Sequence, residues 1–143
     1  MSTVTRATRR FADVTTGDEL PPLGIDLTTR LIVATAIASR DYQDVHHDKP
    51  GAQALGSPDI FMNILTTNGL VGRFVTDWAG PDALLRSVKI KLGVPNYPGD
   101  RMELRGRVTA ARVEGTERLV DIDIAGRNGL GLHVTGSVTV ALP

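Results

Sequence analysis

Asp41 and His46 stand five positions apart in the run Ser39-Arg-Asp-Tyr-Gln-Asp-Val-His46. A carboxylate can take a proton, and an imidazole titrating near neutral pH can take one and give it back. Such a pair suits the addition or removal of water, where one proton leaves and another arrives. The same residue types also serve structure: an aspartate caps a turn, a histidine packs beneath a loop. Spacing alone leaves both readings open. Asp44, His47 and Asp48 are metal-competent types beside them. Adjacent histidines on a loop rarely converge on one ion and no second cluster follows, so no metal site is expected. The chain has no cysteine, which excludes disulfides, iron–sulfur clusters, thiolate zinc sites and a cysteine nucleophile.

The elements around this pair follow from periodicity. Residues 41–56 break every period and read as a polar loop, the best candidate site in the chain. Before it, a short strand is expected near 25–29 and a helical stretch near 32–39. After it comes the clearest helix, expected over 58–78. Ser57 suits its N-cap, Pro58 its first position, and Asp59 the positive end of its dipole. Its first half is apolar nearly all round, which predicts deep burial. Gly69 and Gly72 weaken it and leave room for a neighbouring backbone. From Val88 onward the period switches to two. Val88/Ile90/Leu92, Met102/Leu104/Val108, Val120/Ile122/Ile124 and Val134/Val138/Val140 alternate with polar residues. Four antiparallel strands with one wet face are expected, and His133 falls on the wet register as a surface histidine.

The 143 residues suit one domain, with a tail and loop over 1–24 and the folded unit over 25–143. Within that loop, Pro21-Pro22 excludes a central strand. Sixteen basic and sixteen acidic residues cancel, which argues against general affinity for nucleic acid or anionic membrane. No apolar stretch approaches the roughly 18–20 residues of a membrane span. The first ten residues lack the apolar core of a secretory signal, and the cytoplasm is the default compartment. No Gly-x-Gly-x-x-Gly or P-loop pattern points to a nucleotide cofactor. One apolar helix and one half-wet sheet bury each other best when the sheet wraps the helix. The expected class is α+β, an antiparallel sheet wrapped around one long central helix, which resembles the hot-dog fold.

The loop resembles the hydratase motif of the MaoC-like family, which has an aspartate, then Asn-Pro, then a histidine five positions after the aspartate. Asp41 and His46 match; Gln43-Asp44 stands in place of Asn-Pro. Lys91-Leu-Gly-Val-Pro95 and Pro98-Gly-Asp100 resemble the family's strand-and-turn segment. Arg40-Asp-Tyr-Gln-Asp-Val-His-His-Asp48, Asp59-Ile-Phe-Met-Asn-Ile-Leu65 and Val75-Thr-Asp-Trp-Ala-Gly-Pro81 are similar to one branch. That branch holds the small catalytic subunits of heteromeric enoyl-CoA hydratases of actinobacterial steroid (cholesterol) side-chain degradation.

The resemblance implies a 2-enoyl-CoA hydratase needing no cofactor beyond its acyl-CoA substrate, paired with a larger MaoC-like subunit in a heterotetramer. It implies Asp41 as base towards water and His46 as the group that orients the water and shuttles the proton. The oxyanion of the thioester is expected at the start of the long helix, where unpaired N–H groups gather. Aligning Asn68-Gly69 with the family's Ser-Gly puts Ile60 at the family's glycine amide, beside Asp59, with Gly56 competing. Asn68 falls where other members carry a serine near the site, and Asn63 is a weaker analogue. Arg86, Lys89, Lys91 and Arg101 are candidates for the CoA phosphates and are not assigned. Two rival readings stand: a hot-dog thioesterase, which would use a carboxylate near the helix such as Asp59, and a non-catalytic acyl-CoA-binding or scaffold subunit.

Overall fold

The computed structural model describes residues 7–143. Of the expected tail, residues 1–6 lie outside the described residues. The rest is strapped to the core: Arg9 N–H donates to Ala79 O at 2.8 Å, and its guanidinium sits 4.9 Å from the centre of the Trp78 ring.

Five antiparallel strands form one sheet in the order β1-β3-β4-β5-β2. They are β1 (Glu19–Asp26), β2 (Leu84–Leu92), β3 (Arg101–Glu114), β4 (Glu117–Asn128) and β5 (Gly131–Ala141). Three helices precede β2: α1 (Thr29–Ala38), α2 (Lys49–Ala54) and α3 (Ile64–Ala79). The sheet wraps α3. Val71, Phe74, Val75 and Trp78 of the helix pack into a core with Met102, Leu104, Ile122, Val134 and Val138 of the strands. The four alternating segments after the helix are strands as the period of two requires, and the α+β hot-dog expectation holds.

Several boundaries differ from expectation, each for a physical reason. The loop expected through Pro21-Pro22 is most of β1. It lies at the sheet edge and its pairing with β3 shifts register between Leu20 and Leu23, which is where a strand tolerates prolines. The polar loop contains α2 and a short 3-10 turn at Asp44–His46. Gly69 has open space around it and Gly72 meets only the Leu85 side chain, so no neighbouring backbone lies against either.

The largest difference concerns α3. It begins at Ile64, not at 58, because the backbone of 59–62 is bonded sideways. Ile60 N–H donates to the Asp59 carboxylate at 2.8 Å. Phe61 N–H donates to Val45 O at 3.0 Å and Met62 N–H to Asn96 O at 3.1 Å. Asn63 takes over as N-cap, its Oδ1 accepting from Thr66 N–H at 2.9 Å. The early apolar residues are therefore split. Ile60 and Met62 are buried in the extended segment, while Ile64 and Leu65 are about half exposed on the first helical turn, against the expectation of all-round burial.

Candidate active site

Asp41 is placed by the way α1 ends. Arg40 takes the left-handed conformation, φ 57°, and two bonds close the helix behind it. Arg40 N–H donates to Ile37 O at 3.0 Å and Asp41 N–H to Ala36 O at 2.9 Å. This is the Schellman arrangement, and Asp41 is the first residue past the left-handed position, so its direction is set by the helix rather than by a free loop.

His46 closes the 3-10 turn that follows. It is 6% exposed, and its ring stands edge-on to Phe61 at 5.0 Å between centroids. Nδ1 lies 2.7 Å from Phe61 O. A carbonyl only accepts, so Nδ1 carries a hydrogen, and in the neutral ring Nε2 is left as an acceptor. Nε2 is 3.3 Å from Asp41 Oδ2. Two groups that can take a proton thus stand in direct contact.

Asn63 completes this wall. Its Nδ2 donates to Asp41 Oδ2 at 3.1 Å and to Ser39 Oγ at 2.9 Å. Its Oδ1 accepts from the Thr66 hydroxyl as well as from Thr66 N–H. Asp41, His46, Asn63, Phe61, Ile64, Gly93 and His133 line a cavity of about 340 Å³.

His133 was expected on the wet face and is instead 1% exposed. The segment after β2 crosses over its end of β5: Gly93 N–H donates to His133 O at 2.7 Å and Val94 N–H to Leu132 O at 3.0 Å. Only glycine permits that approach, since a Cβ at Gly93 would sit 2.2 Å from Leu132 O. Nδ1 of His133 donates to Val94 O at 2.6 Å, and Nε2 meets Thr67 Oγ1 of α3 at 2.9 Å. Burial pushes its pKa below the usual histidine value, and the bond to Val94 O opposes that in part.

The expected oxyanion residues fall elsewhere. None of Gly56, Asp59, Ile60 and Asn68 lines the cavity. Ile60 N–H is held by Asp59, which also pairs with Lys49 at 3.4 Å. Gly56 N–H closes the turn after α2, bonded to Gln53 O at 3.0 Å, and Asn68 is exposed on α3. The first-turn amides that are free belong to Ile64 and Leu65: among the described residues neither has a hydrogen-bond partner. Asn63, which the sequence reading undervalued, is the residue that touches Asp41 and lines the cavity. Asparagine is as good an N-cap residue as serine, so Asn63 signalled a helix start as strongly as Ser57.

The phosphate candidates are dispersed. Arg86 pairs with Glu117 and Arg101 with Asp26. Lys89 and Lys91 border a groove with Asp123 and Ser137, apart from the residues that line the cavity. Among the described residues, no three His, Asp or Glu side chains converge as a metal ion would need. None of the described helices is long and apolar enough to cross a membrane.

No family model matches the sequence. Known proteins do. The "3-oxo-4,17-pregnadiene-20-carboxyl-CoA hydratase beta subunit" of Mycobacterium tuberculosis is 49% identical over 126 residues, 88% of this chain and 95% of that protein. A chain of the crystal structure of the ChsH1-ChsH2 complex from Mycobacterium tuberculosis superposes with a TM-score of 0.84 at 49% identity, covering 90% of this chain and 98% of that one. The (R)-hydratase from A. caviae involved in PHA biosynthesis shares the fold, with a TM-score of 0.82 at 20% identity over 92% of this chain and 98% of its own. A MaoC-like dehydratase does so too, at 0.84 and 23% identity, over 95% of this chain and 43% of its own. Identity of that extent, on a hot-dog fold that carries a facing carboxylate and imidazole, assigns the chain to the MaoC-like family of hydro-lyases.

Proposed function

We propose that this chain is the catalytic subunit of a 2-enoyl-CoA hydratase, and that Asp41 and His46 activate the water. The observation that carries the reading is the 3.3 Å approach of Asp41 Oδ2 to His46 Nε2, with His46 Nδ1 committed to Phe61 O. A water in the cavity that touches both atoms can hydrogen-bond to the pair and give it a proton. Its lone pairs then face the cavity, where the β-carbon of the substrate would lie. As the water oxygen bonds to the β-carbon, one proton passes to the pair. One proton passes from the pair to the α-carbon, so the pair ends as it began. Negative charge on the thioester oxygen is met by the free amides of the first turn of α3, with Ile64 foremost because it lines the cavity. No step draws on a metal or cofactor.

The substrate we infer is a steroid side-chain CoA thioester, on the name of the 49% identical relative. A cavity of about 340 Å³ holds the reacting end of such a molecule but not its ring system. Tyr42 beside Asp41, and Ile64 and Leu65 beside Asn63, are large apolar side chains left more than 50% exposed around it. A larger MaoC-like subunit covering them would complete the pocket, in a cytoplasmic heterotetramer. This assembly is supported by the two-component complex in which the similar solved chain occurs.

The test is a hydration assay on the chain alone and with a larger MaoC-like subunit, following loss of the conjugated enoyl-thioester absorbance. Activity with the partner that disappears in both Asp41→Ala and His46→Ala is the expected result. Activity surviving both substitutions would place the chemistry in the partner and leave this chain a scaffold. Release of free CoA from a saturated acyl-CoA would make it a thioesterase.

A further inference from the structure

We propose that Asn63 is a positioning residue for Asp41, fixing the carboxylate oxygen that faces His46 and tying it to the start of α3. This deepens the hydratase reading above and rests on it.

Asn63 is 2% exposed, and every polar valence of its amide is used. The two Nδ2 hydrogens go to Asp41 Oδ2 and Ser39 Oγ, at 3.1 and 2.9 Å. The Oδ1 lone pairs receive Thr66 N–H and the Thr66 hydroxyl, at 2.9 and 2.5 Å. An asparagine amide offers two donors and two acceptor sites, so none is left over. The orientation is forced. Turning the amide over would set Oδ1 against the Asp41 carboxylate and aim Nδ2 at the Thr66 N–H, opposing like partners at both ends.

Two jobs therefore meet in one side chain, and they ask for different chemistry. Capping α3 needs only a short side-chain oxygen, which Asp, Ser or Thr also supply. Holding Asp41 needs a donor at the same time, and among the short capping residues only asparagine has an oxygen and an N–H₂ on one rigid plane. The donated hydrogen lands on Oδ2, the oxygen that lies 3.3 Å from His46 Nε2. Ser39 shares the load: its hydroxyl donates to Thr35 O at 2.7 Å and so accepts from Asn63, locking the end of α1 to the start of α3. The reacting carboxylate is held from behind by the Schellman turn and from the side by this amide. Rotation about its last bond would break a charge-assisted hydrogen bond in a partly buried site.

The difference between the two jobs gives the test. Asn63→Asp and Asn63→Ser both keep a capping oxygen and lose the donor to Asp41. Asn63→Asp also puts a second carboxylate against the first. Each is compared with wild type, together with the larger MaoC-like subunit, on 2-octenoyl-CoA as probe, with kcat, KM and Tm measured. The expected result is kcat down by about 10- to 100-fold, the loss that follows removal of a hydrogen bond to a charged group. KM and the Tm of Asn63→Ser stay near wild type. Wild-type kcat in both variants would show that Asn63 caps the helix and does nothing more. If Asn63→Asp fails to fold, Asn63→Ser decides the question alone. A folded wild-type complex that hydrates neither 2-octenoyl-CoA nor a steroid side-chain enoyl-CoA overturns the hydratase reading and the positioning role together, whereas an active wild type with unaffected variants overturns only the second.

Discussion

Replacing Asp41 by asparagine should remove the chemistry while leaving the site in place. Asn63 Nδ2 donates to the Oδ2 position at 3.1 Å, so the new amide must keep its carbonyl there. The N–H₂ group then occupies the Oδ1 position, where the one bond given up is a long contact of 3.4 Å from Gln43 N–H. The backbone is untouched, because the Schellman bonds use main-chain atoms only. The fold and the seat of His46 against Phe61 O should survive, with Tm within about 2 °C of wild type, given roughly 3 °C per kcal/mol in a domain of this size. What disappears is basicity. General base catalysis by a positioned side chain is worth about 10²- to 10⁴-fold, or ~3 to 5.5 kcal/mol at 1.36 kcal/mol per decade. His46 Nε2 still accepts from the water, so we expect the middle of that range, kcat down ~10³-fold with KM little changed. Enoyl-CoA hydration with the partner subunit present measures both. A kcat within about threefold of wild type, in a protein shown to be folded, would refute the role of Asp41 as the base.

Three further outcomes follow from particular contacts. Burial lowers the pKa of His133, so the unfolded chain binds its proton at a pH where the folded ring does not. Stability contributed by the neutral ring is present above the unfolded value of about 6.5 and is lost as pH falls below it. The Tm of wild type should drop more steeply between pH 7.5 and 5.5 than that of His133→Asn, and equal slopes would contradict this. Arg40→Gly relieves a left-handed residue, φ 57°. About 1 kcal/mol of strain less the added chain entropy of glycine leaves a gain of roughly 0.5 kcal/mol, read as a higher urea midpoint. Gly93→Ala sets a Cβ 2.2 Å from Leu132 O, a backbone atom that cannot step aside. It should cost at least about 2 kcal/mol in urea denaturation.

Much of the fold was legible because burial writes a period into the sequence. Val120, Ile122 and Ile124 of β4 alternate with Asp121 and Asp123, and all three apolar side chains are at most 4% exposed. Asp41 and His46 were legible for a different reason: spacing left them open, but their loop resembles a known motif, and in the structure a helix end, a 3-10 turn, Phe61 O and Asn63 together bring them into contact. Pro21-Pro22 was half legible. The prolines do forbid a central strand, but an edge strand with a register shift accepts them, and edge position is a property of the sheet that no local signal carries.

The misplaced helix start and the misplaced His133 share one cause. In both, a backbone segment distant in sequence supplies what local reasoning assigns to near neighbours. Residues 59–62 have the caps, charges and apolar content of a helix, yet Val45, Asn96 and His46 claim the carbonyl and amide groups that helical bonds would need. His133 has the register of a wet strand position, yet Val94 crosses above it and Thr67 meets it from α3. Those lateral bonds converge on the cavity. Phe61 O fixes His46, the crossing at Gly93 and Val94 forms a wall, and the helix is delayed until Asn63 can cap it and reach Asp41. A helix starting at 58 would have carried residue 63 into its second turn, where its side chain could not cap anything. The site exists because tertiary hydrogen bonds override a locally adequate helix signal, which is why sequence reasoning found Asp41 and His46 and put the start of the helix beside them six positions too early.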